Sequence, residues 1–276
     1  MDEPRFVELA DGVHAMISPR LMSNCTIVVT AEGVLTVDAP YTRRLAEAVI
    51  DYARRLSPQP IRWVVSSHHH GDHTLQLCVF SPPAQVIGHV ANREYILRTG
   101  EYERQRFHAN YPEAGYDSVT LTPPSLTYTD RLTLYLGGRE IHLWHPGPAH
   151  TAGDTVLFLP AERLAVVADL LFNGMHPVAR NGYFAGWIAA LSQLQAMDLD
   201  AVVPGHGPIA SRRELGAMRE YLLALRDAVL PYARSGVPVE RAVAEIRLDA
   251  YAAWPDRERL GPAIERAYAE LVETAG

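Results

Sequence analysis

The 276-residue chain contains no lysine; all 25 of its basic residues are arginine. Any mechanism that needs a lysine amine is therefore excluded. Cysteine is scarce as well. Cys25 and Cys78 both sit in apolar context, and two cysteines do not make a disulfide framework, so both read as buried free thiols. No apolar run approaches the roughly 20 residues that cross a bilayer. The opening stretch, MDEPRFVELADG, is acidic and lacks the basic-then-apolar order of a secretion signal. These absences predict a cytoplasmic protein with no membrane partner. There is no basic run either, and the net charge is −7. Nucleic-acid binding needs a cationic footprint, which argues against a phosphate-rich partner as the main substrate.

What is present is a large apolar fraction, 48%, enough for a sizeable core. The segments FVELA, GVHAMIS, NCTIVVT and GVLTVDA read as strands separated by Asp11-Gly12 and Glu32-Gly33 turns. Residues Tyr41 to Leu56 carry apolar positions at helical spacing, and Ser57-Pro58-Gln59-Pro60 stops them. IRWVVSS follows as a buried strand, QVIGH as another, and ANREYILRTG as a helix. From Glu101 to Pro124 the pattern is weak and predicts a long loop or insert. A hairpin around Gly137-Gly138, strands DTVLFLP and LAVVAD, a helix over 184–197, the strand AVVPGHG and a helical tail from Ser211 complete the chain. Mixed strands and helices predict an α/β fold. With no repeat and no linker, residues 1–276 read as a single domain with a helical C-terminal extension from about 211. The apolar face of residues 215–233 could cover the sheets or form a dimer seam, so the chain reads as a monomer or a homodimer.

The densest chemistry is SSHHHGDHTL, Ser66 to Leu75. Residues leaving a strand alternate in direction, so His68 and His70 face one way and His69 the other. Gly71 lets the backbone turn and bring Asp72 and His73 to the same spot. A plain polar loop would not need glycine and aspartate interleaved among histidines. Three further signals recur where apolar strands stop: His150 in PGPAHTAGD, Asp169 in VVADLLFNG and His206 in VVPGHG. A carboxylate ending a buried strand is costly unless paired or metal-bound. Singly, each is more often a cap or a core hydrogen-bonder. Together they supply seven ligand-type side chains. A catalytic zinc takes three protein ligands and water, so seven suit two ions. His68, His70 and His150 would hold one and Asp72, His73 and His206 the other, with Asp169 between them. Imidazole and carboxylate without cysteine fit Zn2+ first, two per chain, then iron or manganese.

The pattern resembles the metallo-β-lactamase fold superfamily. Its His-x-His-x-Asp-His signature reads here as His68 to His73, followed in order by His150, Asp169 and His206. The resemblance implies a four-layer αββα sandwich, with metals at one sheet edge. It implies hydrolysis at an electrophilic centre, by a metal-bridging hydroxide attacking a carbonyl, and Asp72 as the group that orients it and takes its proton. The phrases GDHTLQLCVF and PGPAHTAGDTVLFLP are similar to bacterial stand-alone hydrolases that include polyketide thioesterase/cyclase members. That analogy implies a small-molecule acyl substrate, free or carrier-protein-bound, joined as a thioester or ester. A lactone or β-lactam would suit the same metals, and a glyoxalase II-like role is disfavoured by the missing lysine. A metal-holding protein without turnover is the remaining class.

Around this set, Thr151 and Asp154 are candidates to orient His150, although Asp154 reads equally as a turn cap. His176, beside Pro177 in the loop beyond Asp169, is a candidate to protonate a leaving group, against the reading of a loop histidine with no role. Phe172, Asn173, Tyr183 and Trp187 are pocket candidates. Tyr95, Tyr102, Phe107, Tyr111 and Tyr116 could line an aromatic mouth or pack a loop. His14, His89, His108, His142 and His145 read as structural.

Overall fold

The computed structural model describes residues 3–18 and 22–274. The first sheet has seven strands in sequential order: β1 (Arg5–Ala10), β2 (Val13–Ile17), β3 (Cys25–Val29), β4 (Val34–Val37), β5 (Ile61–Val65), β6 (Gln85–His89) and β7 (Leu126–Tyr128). β1 to β4 are antiparallel and β4 to β7 parallel. The second sheet runs β12 (Ala201–His206), β11 (Leu164–Phe172), β10 (Val156–Leu159), β9 (Arg139–Trp144), β8 (Arg131–Leu136). Only its β11–β12 pair is parallel.

Alternation along the strands sorts side chains to two faces. Leu35, Val37, Val65 and Ile87 of the first sheet meet Ile141, Leu157, Leu159 and Val203 of the second in one core. Their neighbours Val34, Val64 and Val86 point outward beneath α1 (Arg43–Leu56), which buries Leu45, Ala46, Val49 and Ala53. Thr42 caps that helix, its hydroxyl accepting from Leu45 N. Two one-turn helices, α2 (Gly71–Thr74) and α3 (Leu77–Phe80), follow β5. On the far side, Val156, Ala165, Val167 and Val202 pack under α5 (Phe184–Ala196) and α6 (Arg212–Arg234). The order of layers is helix, sheet, sheet, helix, as the αββα expectation required.

α6 turns Leu215, Met218, Tyr221, Leu222, Leu225 and Val229 into that outer core, joined by α7 (Val239–Glu245) and α8 (Leu260–Glu273). The apolar face of residues 215–233 therefore covers the sandwich. Among the described residues no helix is long and apolar enough to cross a membrane.

The expectation for residues 101–124 fails in part. The predicted loop from Glu101 begins as helix: α4 spans Val90–Asn110, and only then do two 3-10 turns follow, at Pro112–Ala114 and Tyr116–Ser118. The buried positions of α4 are Asn92, Ile96, Gly100, Glu103 and Phe107. Their spacing is helical, but three of the five are not apolar, so hydrophobic periodicity is silent there.

Candidate metal centre

The C-terminal ends of β4, β5, β11 and β12 open on one edge of the sandwich. His68, His70, Asp72 and His73 leave β5, His150 sits in the loop from β9 to β10, Asp169 lies in β11 and His206 ends β12. All seven residues come together there, in two groups. His68, His70, His150 and Asp169 form one, Asp72, His73 and His206 the other, with ligand atoms in each group within 4.8 Å of one another. The Asp169 carboxylate faces both. Its Oδ2 lies 3.5 Å from His68 Nε2 and 3.4 Å from His150 Nε2. Its Oδ1 lies 3.0 Å from His73 Nε2 and 3.4 Å from His206 Nε2.

Backbone devices place these groups. The chain turns at Gly71 as expected, by opening α2 there, and a Cβ would stand 2.7 Å from Phe107 Cε2. Close packing, rather than φ, demands the glycine. In β11 the pairing with β12 slips around Ala168, whose φ of +45° is left-handed. Such a backbone is strained for alanine, and the irregularity re-aims the next side chain, Asp169. Opposite it, a Cβ on Gly205 would meet Asp169 Oδ1 at 1.9 Å.

A carboxylate that the sequence reading missed, Asp38, organises two of the histidines. It follows β4 with φ +63° and is buried. Ser67 donates to it twice, from N to Oδ1 and from Oγ to Oδ2, both at 2.7 Å. Because that hydroxyl hydrogen points at Asp38, the 2.9 Å contact between Ser67 Oγ and His68 Nδ1 needs a proton on His68 Nδ1. His73 Nδ1 also donates to Asp38 Oδ2, at 2.9 Å. His70 pairs the other way, Nε2 with Asn181 Oδ1 at 2.9 Å. Asn181 was missed too; its RNG context shows only a turn. Asp38 was readable, since it directly follows the apolar strand β4; Asp169, expected to end its strand, instead lies inside β11, which continues to Phe172.

Asp154 holds Thr151, accepting from its N and Oγ at 2.8 and 2.6 Å. It acts as the turn cap. Burial pushes its carboxyl up to about 7 against those bonds. His176 does not reach the cluster. Its ring is 1% exposed, Nδ1 meets the Tyr221 hydroxyl at 2.8 Å, and Trp254 packs beside it. Phe172 and Trp187 are also buried behind the ligand set, the first stacked on His206, the second 5.0 Å from His150 between ring centroids. Asn173 bonds Pro208 O, and Tyr183 is half-buried beside Ala149, whose carbonyl accepts from its N. Phe107 and Tyr116 pack with Leu75, so they are core, whereas Tyr95 stacks on His69.

Electrostatics divide the cluster. Burial holds the His68, His70 and His150 imidazoles below their usual range. Burial would do the same to His73 and His206, but Asp169 and Asp72 overcome it, with Asp38 also acting on His73, and His206 rises to about 9. Burial would raise Asp72 and Asp169, but His73 and His206 outweigh it and hold both low. Buried carboxylates so close together require positive charge among them.

The donor set fits metal ions. His68 Nε2 is buried without a hydrogen-bond partner. Ring nitrogens face one another, His70 Nδ1 to His150 Nε2 at 3.0 Å and His73 Nε2 to His206 Nε2 at 3.4 Å. A tetrahedral ion with nitrogen ligands at about 2.0–2.1 Å keeps them about 3.4 Å apart; the His73–His206 spacing matches that value and the His70–His150 spacing falls a few tenths of an ångström short of it. The cluster is capable of holding metal.

The family profile described as the Metallo-beta-lactamase superfamily matches residues 18–206. Among curated relatives, the 2,4-dinitroanisole O-demethylase subunit alpha of Nocardioides sp. is 30% identical, over 75% of this chain and 60% of its own. The linear primary-alkylsulfatase of Pseudomonas sp. is 23% identical, over 79% of this chain and 48% of its own. The probable metallo-hydrolase YqjP of Bacillus subtilis is 28% identical over 68% of each. The chain thus spans about 60% and 48% of the length of the first two. A solved metallo-beta-lactamase from Pontibacter korlensis superposes with TM-score 0.67 and 19% identity, over 80% of this chain and 99% of that one.

Proposed function

The chain belongs to the metallo-β-lactamase superfamily, and from that premise we propose that it is a dinuclear metal-dependent hydrolase of a small ester or thioester. The observation that carries this reading is Asp169, one carboxylate oxygen turned to each histidine group. His68, His70 and His150 would hold one ion, Asp72, His73 and His206 the other, with Asp169 shared; zinc suits the donors, with iron or manganese next. Bound there, such ions supply Lewis acidity and bring water's pKa to about 7.

The chain's own residues do the rest. Asp38 fixes the His68 and His73 tautomers so that both Nε2 lone pairs face inward, and Asn181 does the same for His70 Nδ1. Asp72 is the open member of the set, its side chain 20% exposed against 3% for Asp169. Open to solvent beside the cluster, its carboxylate would be the acceptor for the proton of the attacking water. Phe172 and Trp187 seal the cluster from behind and keep that side dry. His176, enclosed by Tyr221 and Trp254, takes no part. The unpaired cysteines, one buried and one half-buried, suit the cytoplasmic location included in this reading, and residues 3–274 are read as one domain.

A second reading is favoured by the identity to the O-demethylase subunit: cleavage of an activated aryl methyl ether. Polyketide thioesterase activity would be a narrower form of the same hydrolysis; lactone opening, β-lactam opening, which cleaves an amide, and cyclase ring closure are alternatives at the same centre. The test is metal content of tag-free protein by elemental analysis, then turnover of an aryl thioester, an aryl ester, a lactone, nitrocefin and a nitroaryl methyl ether before and after chelation. About two ions per chain and chelator-sensitive thioester or ester turnover are expected. Ether cleavage alone would install the second reading, and metal-replete protein inert to every substrate would overturn both.

A further inference from the structure

Beside the cluster lies a cavity of about 280 Å³, walled by His69, Tyr95, Tyr102, Glu103, Arg106 and Arg180, and closed at one side by Asn181. Asn181 is the residue that holds His70, so the cavity and the candidate metal centre share a wall. Its charge runs against that of the chain. Two guanidinium groups line it with a single carboxylate, Glu103. Arg106 takes the close contact, Nη2 to Oε2 at 2.6 Å, while Arg180 Nη2 stands 3.4 Å from each Glu103 oxygen. Arg180 is thus loosely engaged, and its side chain is 40% exposed. A third guanidinium, Arg98, lies 4.2 Å from the centre of the Tyr95 ring.

Two polar side-chain nitrogens in this wall lack partners. Arg106 Nε is buried without a hydrogen bond, and so is Nδ1 of His69, a residue only 6% exposed. The His69 and Tyr95 rings stack at 4.4 Å between centroids, so the wall carries a pair of aromatic rings. Excess cation, an unused guanidinium donor and aromatic walls within one cavity are features that bind an aryl or short alkyl acid.

We propose that this cavity is an anion subsite, in which Arg180, with Arg106 behind it, binds a carboxylate borne by the substrate at the end remote from the cleaved bond. The term substrate rests on the hydrolase reading; the anion site itself does not. An acid docked at Arg180 extends past Asn181 towards His70, which selects substrates carrying a carboxylate at one end and the reactive bond at the other. In this account His69, the motif histidine that faces away from the ligand set, belongs to the substrate wall.

Isothermal titration with phenylacetate and phenylacetamide tests it, since the two differ by one charge. The metal-loaded protein is expected to bind the acid about tenfold more tightly, the scale of one charge-assisted hydrogen bond. Arg180→Gln should bring the acid down to the level of the amide, and Arg180→Lys should restore part of the preference. Equal binding of acid and amide by the unaltered protein would overturn the proposal. So would an acid preference unchanged in Arg180→Gln, because the carboxylate would then sit on the metals. These titrations read binding without turnover, so acid binding by a protein that cleaves nothing would sink the hydrolase reading and leave the subsite standing.

Discussion

The two sheets contribute to the cluster on unequal terms. The first delivers four ligand-type residues within six positions, His68 to His73, and braces them with its own Asp38 and Ser67. The second delivers three from three separate places, His150, Asp169 and His206, each set by packing: a slipped register at Ala168, a glycine at 205, aromatic rings behind. Half of the site is therefore written into one loop and the other half into tertiary contacts. Damage should travel differently in the two halves.

The sharpest break is Asp169→Ala, which removes the one residue facing both groups. We expect metal content to fall below about one ion per chain and kcat/KM to drop by more than the roughly 10–100-fold that an outer partner costs. Retention of about two ions, seen by elemental analysis, would show that the first sheet suffices. Next comes Gly205→Ala, which alters no ligand. Its Cβ, 1.9 Å from Asp169 Oδ1 and 2.8 Å from Ala168 C, must push the strand pair apart. Metal loss approaching that of Asp169→Ala is expected, and unchanged metal content would show that the second sheet adjusts more freely than its packing implies.

The first sheet is probed through its brace. Asp38→Asn should weaken metal binding by about 10–100-fold, because both His68 and His73 lose their anionic anchor. Asn181→Ala touches only His70 and should cost about tenfold, the low end of that range. Competition with a chelator ranks the two, and equal effects would contradict the leading place given to Asp38.

The smallest effect lies beyond β12, where Ser211 and Glu214 form a capping box on α6. Ser211→Ala should cost about 1 kcal/mol in denaturant melts and leave metal content unchanged. Burial would raise the Glu214 carboxyl, but bonds from Ser211 and Arg213 bring it from 4.5 down to about 2. A depressed carboxyl stabilises the fold above its unfolded pKa and loses that effect as pH falls. The melting difference between the wild type and Glu214→Gln should therefore narrow as pH drops from about 4.5 towards about 2.

The same asymmetry explains what the sequence disclosed. The loop from His68 to His73 was legible because its residues are neighbours. His206 is legible because it stops an apolar strand, and Asp169 because it interrupts one, inside β11. Asp38 closes the apolar run GVLTV, but the Ala39-Pro40 that follows gives it the look of a turn residue, which hides its role. Asn181 carries no signal; only folding brings it to His70. The second half of α4 stayed hidden because it buries Gly100 and Glu103 where a periodic helix would show leucine. His176 showed the converse limit, since proximity to Asp169 in sequence did not become proximity in space.

Trp187 has a practical consequence. Its indole is wholly enclosed, with its N–H on Leu170 O and its ring close to His150. The emission of an indole so placed responds to the charge state and occupancy of the imidazole beside it. Of the four tryptophans, this one makes the chain its own fluorescent gauge, able to follow an ion arriving at His150 in real time without a label.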